Sequence, residues 1–226
     1  MLLHLSALPA TTRGIYDVSG KGPNSLPESS LRLHPHAAEA FLRLEDDRPL
    51  VYSGIWRSAE QSLRARATKE GVQPPGYSGH NYGFSVDVAV EATLKRHAWS
   101  YSDLLVYTQK HGWYCHRRQK RGFEEWHFNF LPDPVAAFAT VKLTAPKTWA
   151  NAIESVIHAY YGSAFEYDAR CMQEYLQKLR FYGGAIDGLV GPRTTEAQQA
   201  FSRAWRTTKR TFERTLAFVA ADIQLS

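Results

Sequence analysis

Four polar residues of this chain have the types and spacing needed to hold a metal ion and to move a proton beside it. His80 and Asp87 are seven positions apart, and His127 follows forty positions after Asp87. Two imidazoles and a carboxylate can hold zinc, and a fourth position left open for water is typical of a catalytic site. Glu124 is not needed as a ligand and is free to act as a general base. We therefore predict a catalytic Zn²⁺ site with His80, Asp87 and His127 as ligands.

Each of these residues also has a simpler explanation. The two histidines could be partly buried side chains without a ligand, and Asp87 could cap a turn. Glu125 could be the base instead of Glu124, although the three-residue spacing from His127 favours Glu124. We favour the metal site because the complete set is much rarer than any one pair within it.

Three short motifs carry a family resemblance. Residues 78–87 read Ser-Gly-His-Asn-Tyr-Gly-Phe-Ser-Val-Asp, and residues 124–127 read Glu-Glu-Trp-His. Together they resemble the zinc D,D-carboxypeptidases and L-alanyl-D-glutamate endopeptidases that cut the stem peptides of peptidoglycan. Residues 51–61, Val-Tyr-Ser-Gly-Ile-Trp-Arg-Ser-Ala-Glu-Gln, resemble the strand and turn that bring an arginine into that active site. The resemblance covers roughly residues 30–132, with the motifs in the family's order.

The resemblance implies roles for Arg57 and Ser78, and its position along the chain makes Gln61 a further candidate. Arg57 would neutralise the charge that develops on the substrate carbonyl, which suits a permanently charged guanidinium, although a surface ion pair is the alternative. Ser78 would help to hold the substrate, and Gln61, one helical turn after Arg57, is a second substrate-binding candidate. The chain departs from the family's usual pattern by Ile55-Trp56 before the arginine, and by Ser85 where alanine is frequent.

Loops and strands must bring these residues together. Residues 77–83 contain two glycines and predict a loop, whereas residues 84–90 alternate and are β-branched, which predicts a strand carrying Asp87. Residues 123–130 predict another strand. Strict alternation would put its glutamate and histidine on opposite faces, so we expect a twist, bulge or strand end near Trp126.

The arginine motif predicts a strand followed by a capped helix. Residues 50–56 read as the strand, and residues 58–70 as a helix that begins with a serine cap and has Gln61 at its third position. With these elements the fold class is α+β, a small antiparallel sheet with flanking helices. The resembling family has that architecture, and its fold is shared with the hedgehog signalling domain.

The C-terminal third of the chain predicts helices throughout. Residues 172–201 resemble the three-helix peptidoglycan-binding module, and the specific part is Asp187-Gly-x-x-Gly-Pro-x-Thr between two amphipathic helices. A plain helical hairpin with a well-formed turn is the alternative. We predict a catalytic domain over 1–140, a linker over 141–150 and an all-α, three-helix domain over 151–226.

Composition limits the partners that are expected. The chain has 44% hydrophobic residues and a net charge of +5, values of a globular and mildly basic protein. No nucleic-acid-binding motif accompanies the charge, so nucleic acid is not expected as a partner. No stretch reaches the ~18 apolar residues of a membrane span, and the apolar N-terminus lacks the basic start of a signal peptide.

We therefore predict a zinc-dependent peptidoglycan hydrolase, foremost an L-alanyl-D-glutamate endopeptidase that acts as an endolysin or secreted lytic effector. The alternatives are a D-alanyl-D-alanine carboxypeptidase and, in a different class, a non-catalytic cell-wall-binding protein. We expect a monomer that binds peptidoglycan. It would be made in the cytoplasm without a clear signal peptide, and it would act in the periplasm or on the wall after release by a holin, lysis or a secretion system.

Overall fold

The chain divides into two compact units, and both draw on separate parts of the sequence. A computed structural model describes residues 3–4, 31–68, 72–115, 124–131, 153, 156–157 and 168–222. The first unit comprises Met1–Arg57 with Tyr82–Ala159, and the second comprises Ser58–Asn81 with Tyr160–Ser226. The predicted linker over 141–150 lies outside the described residues, so the predicted domain limits stay a prediction.

The described elements are six short strands and seven α-helices. The strands are β1 Leu3–His4, β2 Arg32–Leu33, β3 Tyr52–Gly54, β4 Ser85–Val88, β5 Trp113–Cys115 and β6 His127–Phe130. The helices are α1 Pro35–Asp47, α2 Ala59–Thr68, α3 Val90–His97, α4 Tyr101–Lys110, α5 Ala169–Lys178, α6 Pro192–Trp205 and α7 Phe212–Asp222. The α+β class predicted from the sequence is therefore confirmed.

A four-stranded antiparallel sheet in the order β3-β4-β6-β5 lies at the centre of the first unit. Helix α1 packs on it through Phe41, whose ring centroid lies 4.9 Å from that of Tyr52 in β3 and 6.1 Å from that of Trp113 in β5. All three rings are buried, and each contributes roughly 2–3 kcal/mol through loss of contact with water. The small antiparallel sheet predicted for the catalytic region is confirmed.

The second unit contains α2 and the three C-terminal helices α5, α6 and α7. Phe201 of α6 is fully buried, with the rings of Phe181 and Phe212 edge-on to it at 5.5 and 5.6 Å. The side chain of Gln173, also fully buried, donates to Asp187 and accepts from the backbone N–H of Gly188. These bonds fix the turn in which the sequence showed its Asp-Gly motif.

No helix in the described part of the chain is long and apolar enough to cross a membrane. Cys115 and Cys171 are both free thiols.

Candidate metal centre

His80 lies in a short loop that leads into a strand, as the sequence predicted. Gly79–Tyr82 form a 3-10 helix, Gly83 follows with a φ of +72°, and β4 begins two residues later. A side chain is excluded at Gly83, because an added Cβ would lie 2.4 Å from the backbone nitrogen of His34. Gly79, the other glycine of the predicted loop, is not among the described residues with positive φ.

Asn81, next to His80, stabilises this loop through hydrogen bonds of its side chain. Its side-chain oxygen accepts hydrogen bonds from the backbone N–H groups of Gly76 at 3.0 Å and Ser78 at 3.3 Å. Its side-chain nitrogen donates to the hydroxyl of Ser62 in α2 at 2.8 Å. Asn81 is buried, so these bonds form without competition from water, and the backbone on both sides of Ser78 is fixed.

Strand pairing brings the other two predicted ligands together. In the antiparallel ladder of β4 and β6, Asp87 lies directly opposite His127. The Nδ1 atom of His127 is 2.9 Å from the Oδ1 atom of Asp87. Direct opposition of two residues in neighbouring strands places their side chains on the same face, so a separation of forty positions in sequence becomes a contact.

His80, Asp87 and His127 form a group that could hold a metal ion. Each offers one ligand atom, and these atoms all lie within 4.8 Å of one another. His80 is 2% exposed, while Asp87 and His127 are partly accessible. Two imidazoles and one carboxylate are ligands that zinc accepts, and with three protein ligands a tetrahedral zinc ion keeps a fourth position for water. The residues present therefore fit a zinc ion.

Arg57 lies beside the carboxylate of this group. Its Nη2 atom is 3.6 Å from the Oδ2 atom of Asp87, and the two side chains are 27% and 14% exposed. The oxygens of Asp87 thus have different neighbours, His127 on Oδ1 and Arg57 on Oδ2. A guanidinium on the second oxygen fixes the orientation of the carboxylate, as hydrogen-bonding partners behind metal ligands do.

Gly54 in β3 contributes by lacking a side chain. It is paired with Asp87 in the sheet, and an added Cβ would lie 3.1 Å from the Oδ2 atom of that residue. This is tighter than ordinary van der Waals contact, so a larger residue would displace the carboxylate by a few tenths of an ångström. Gly54 stands in the arginine motif, yet its part at the site became visible only through the strand register.

Glu124 precedes β6 in a tight turn. The backbone N–H of His127 donates to the carbonyl of Glu124 at 3.0 Å, and β6 begins at His127. The strand end predicted near Trp126 is therefore confirmed. Glu124 has a φ of +51°, a left-handed conformation that costs a non-glycine residue free energy and needs support from its surroundings.

Tyr101 and Cys115 supply support for that turn. The hydroxyl of Tyr101, at the start of α4, donates to the carbonyl of Glu125 at 3.0 Å. The buried thiol of Cys115 lies 3.8 Å from the carbonyl of Glu124, 3.7 Å from that of Glu125, and 3.3 Å from the hydroxyl of Tyr101. Neither residue belongs to a motif, and no sequence signal pointed to them.

The two predicted substrate-binding residues have local partners. The hydroxyl of Ser78 accepts from the backbone N–H of His80 at 3.4 Å. Gln61 and Ser58 exchange hydrogen bonds at 2.9 and 3.1 Å, which is the capping box predicted at the start of α2. Capping accounts for the glutamine at this position, and substrate binding by Ser78 and Gln61 stays a prediction.

Trp126 is one of the exposed large hydrophobic residues. Its side chain is 43% exposed, because the residue lies in the turn before β6 and not within the strand. An exposed indole next to His127 is available to contact a ligand. The strand predicted over 123–130 begins only at His127, so alternation along that segment gave no information on the side chain of Trp126.

Comparison with known proteins gives no family assignment. No protein-family profile matches the chain, and no curated protein is significantly similar to it.

Proposed function

We propose that this protein is a zinc-dependent hydrolase of peptidoglycan stem peptides. The observation that carries the proposal is the grouping of His80, Asp87 and His127, with ligand atoms within 4.8 Å of one another. Glu124 in the adjoining turn and Arg57 beside Asp87 complete the set of residue types that peptide hydrolysis needs.

Each residue then has a defined task. A zinc ion bound here would supply a Lewis acid and a bound water with a pKa lowered toward ~7. Glu124 takes the proton of the attacking water and later delivers it to the departing amine. Arg57 keeps Asp87 oriented, and its charge also favours the negative charge that develops on the substrate carbonyl oxygen.

The substrate proposal rests on the three motifs together. With them we propose the fold of the hedgehog and D,D-peptidase group for the catalytic part and a peptidoglycan-binding role for α5, α6 and α7. A wall-binding module raises the local concentration of an enzyme on an insoluble polymer. The protein would act as a monomer in the periplasm or on the cell wall, as an endolysin or a secreted lytic effector.

Among the bonds of the stem peptide, we propose the one between L-alanine and D-glutamate. The His-Asn-x-Gly form at His80 is common among L-alanyl-D-glutamate endopeptidases, and a wall-binding module suits a lytic enzyme. Digestion of purified peptidoglycan followed by mass analysis of the fragments tests this choice. New D-glutamate amino termini are expected, and release of free D-alanine without them would identify a carboxypeptidase instead.

The chemistry is tested by separating metal binding from proton transfer. Glu124→Gln should keep about one zinc per chain and lose most of the hydrolytic activity, by roughly 10²-fold or more, because the ligands are untouched. Chelation should abolish activity in the wild-type protein.

Glu125→Gln is the matched control, since it changes the neighbouring residue in the same turn. It should keep both zinc and activity. Loss of activity in Glu125→Gln with normal turnover in Glu124→Gln would make Glu125 the base. A wild-type protein that stayed fully active without any divalent metal would refute the proposed function.

A further inference from the structure

The segment that leads to His80, residues 75–77, is bound to α7 and to the residue positions just before that helix. The hydroxyl of Thr215 in α7 donates to the carbonyl of Pro75 at 2.9 Å, and Thr215 is fully buried. The hydroxyl of Tyr77 donates to the carbonyl of Arg210 at 3.0 Å. These bonds join parts of the second unit that are more than 130 positions apart in sequence.

The same segment also packs closely against α7. The guanidinium of Arg214 lies 4.6 Å from the centre of the Tyr77 ring, which adds a cation–π contact. Gly76 has a φ of +85°, and a Cβ added there would lie 2.9 Å from the Cβ of Phe218 and 3.2 Å from the carbonyl oxygen of Arg214. Only glycine lets the segment approach α7 so closely.

Hydrogen bonds connect Gly76 to the backbone around His80. The N–H of Gly76 donates to the side chain of Asn81, and the N–H of Asn81 donates to the carbonyl of Ser78. Between them lies the N–H of His80, which donates to the hydroxyl of Ser78. A shift of Pro75 or Gly76 relative to α7 therefore moves the backbone on both sides of His80.

We propose that Thr215 and the surface of α7 around it are positioning elements for the metal ligand His80. Helix α7 then helps to place a metal ligand and is not only part of a detachable wall anchor. This inference rests on the proposed metal binding by His80. It also makes metal binding and the stability of α7 reciprocal, because a ligand that binds only the ordered segment stabilises whatever orders it.

Thr215→Val in the full chain tests the proposal, because valine has nearly the shape of threonine and removes only the hydroxyl. We expect zinc affinity, measured by titration calorimetry, to fall by up to about tenfold, the low end of the loss when a direct partner of a metal ligand is removed, because Thr215 acts on His80 through intervening residues. Thr215→Ser, which keeps the hydroxyl, should restore most of that loss. Amide exchange of Tyr77 and Asn81 in the metal-free protein should become faster in the valine variant alone.

Thr194→Val is the matched control in the same unit. Thr194 is 1% exposed and its hydroxyl donates to the carbonyl of Leu189, so this variant should lose stability without losing zinc affinity. Equal zinc affinity and equal Asn81 exchange in Thr215→Val and wild type would overturn the proposal. A wild-type protein that binds no zinc would refute the proposed function, and the amide exchange would still decide whether α7 holds the segment.

Discussion

At the scale of single residues, the proposed metal centre depends on groups that set the position of the proposed ligands and of the proposed base, Glu124. Gly54 leaves room for the carboxylate of Asp87, and Asn81 fixes the loop of His80. Tyr101 and Cys115 support the turn of Glu124. Proton transfer by Glu124 requires hydrogen-bond distances. A small displacement of this turn should therefore lower kcat and leave substrate affinity nearly unchanged.

Tyr101→Phe tests the support of the Glu124 turn. We expect kcat to fall roughly tenfold, with KM and zinc affinity nearly unchanged, because the substitution removes one hydrogen bond to the turn and leaves the ligands in place. Steady-state kinetics on a soluble stem peptide and zinc titration measure the two effects.

Tyr107→Phe provides the comparison for this variant. Tyr107 also lies in α4, and its hydroxyl donates to the carbonyl of Leu44, away from the Glu124 turn. It should lose about 1 kcal/mol of stability with an unchanged kcat. If both tyrosine variants lost kcat equally, Tyr101 would have a general structural role only.

At the scale of elements, the start of α1 and the loop before β4 stabilise each other. The backbone N–H of His34 donates to the carbonyl of Gly83 at 3.0 Å, and the His34 ring stacks on Phe84 with centroids 4.6 Å apart. His34 is also the N-cap of α1. The loop that follows His80 thus depends on a contact with a helix that begins some fifty residues earlier.

Gly83→Ala should break this contact. The left-handed φ and the overlap with the backbone at Leu33 and His34 together should cost about 2–4 kcal/mol in the free energy of unfolding. Urea denaturation measures the loss. Gly183→Ala, where nothing lies within 4 Å of the added Cβ and φ is not positive, should change stability by less than about 0.5 kcal/mol. Similar losses in both variants would contradict this account.

The contact of His34 with the loop before β4 predicts that the stability of the protein depends on pH. Burial, and then the neighbouring charge of His36, lower the pKa of His34 from 6.5 to about 4. Between these values the unfolded chain binds the proton more readily than the folded protein, so stability rises with pH. The contribution of neutral His34 is complete above pH 6.5 and is lost as the pH falls toward 4.

His34→Asn keeps a side chain that can cap a helix and removes the titration. Urea denaturation of the metal-free protein at pH 7 and pH 5 should therefore show a smaller loss of stability in the variant than in the wild type. An identical loss in the two proteins would show that His34 does not titrate with folding.

At the scale of the whole molecule, the second unit joins residues 58–81 to the C-terminal helices. The sequence predicted a catalytic domain over residues 1–140, and a fragment ending near residue 141 would separate that domain from the C-terminal helices. Such a fragment lacks α7 and hence the partners of Pro75, Gly76 and Tyr77. We now expect it to bind zinc far more weakly than the full chain, which titration calorimetry measures. Full zinc affinity in a soluble fragment would favour the independent domains predicted from the sequence.

The sequence by itself determined the features that depend on neighbours along the chain. Alternation and β-branching predicted the strand of Asp87, and the Ser58–Gln61 pair predicted the start of α2. The prediction that His80, Asp87 and His127 form a metal site also came from residue type and spacing, because zinc is bound mainly by imidazoles, thiolates and carboxylates. Features of this kind can be read from the residue types and spacings of a single sequence.

Tertiary structure alone decided which distant residues meet. The pairing of β4 with β6 sets Asp87 against His127, and the pairing with β3 sets Gly54 against Asp87. The contact of Thr215 with Pro75 is of the same kind. Strand register and helix packing depend on the burial of side chains and on hydrogen bonds throughout the fold. They therefore cannot be read from the residues of any single segment.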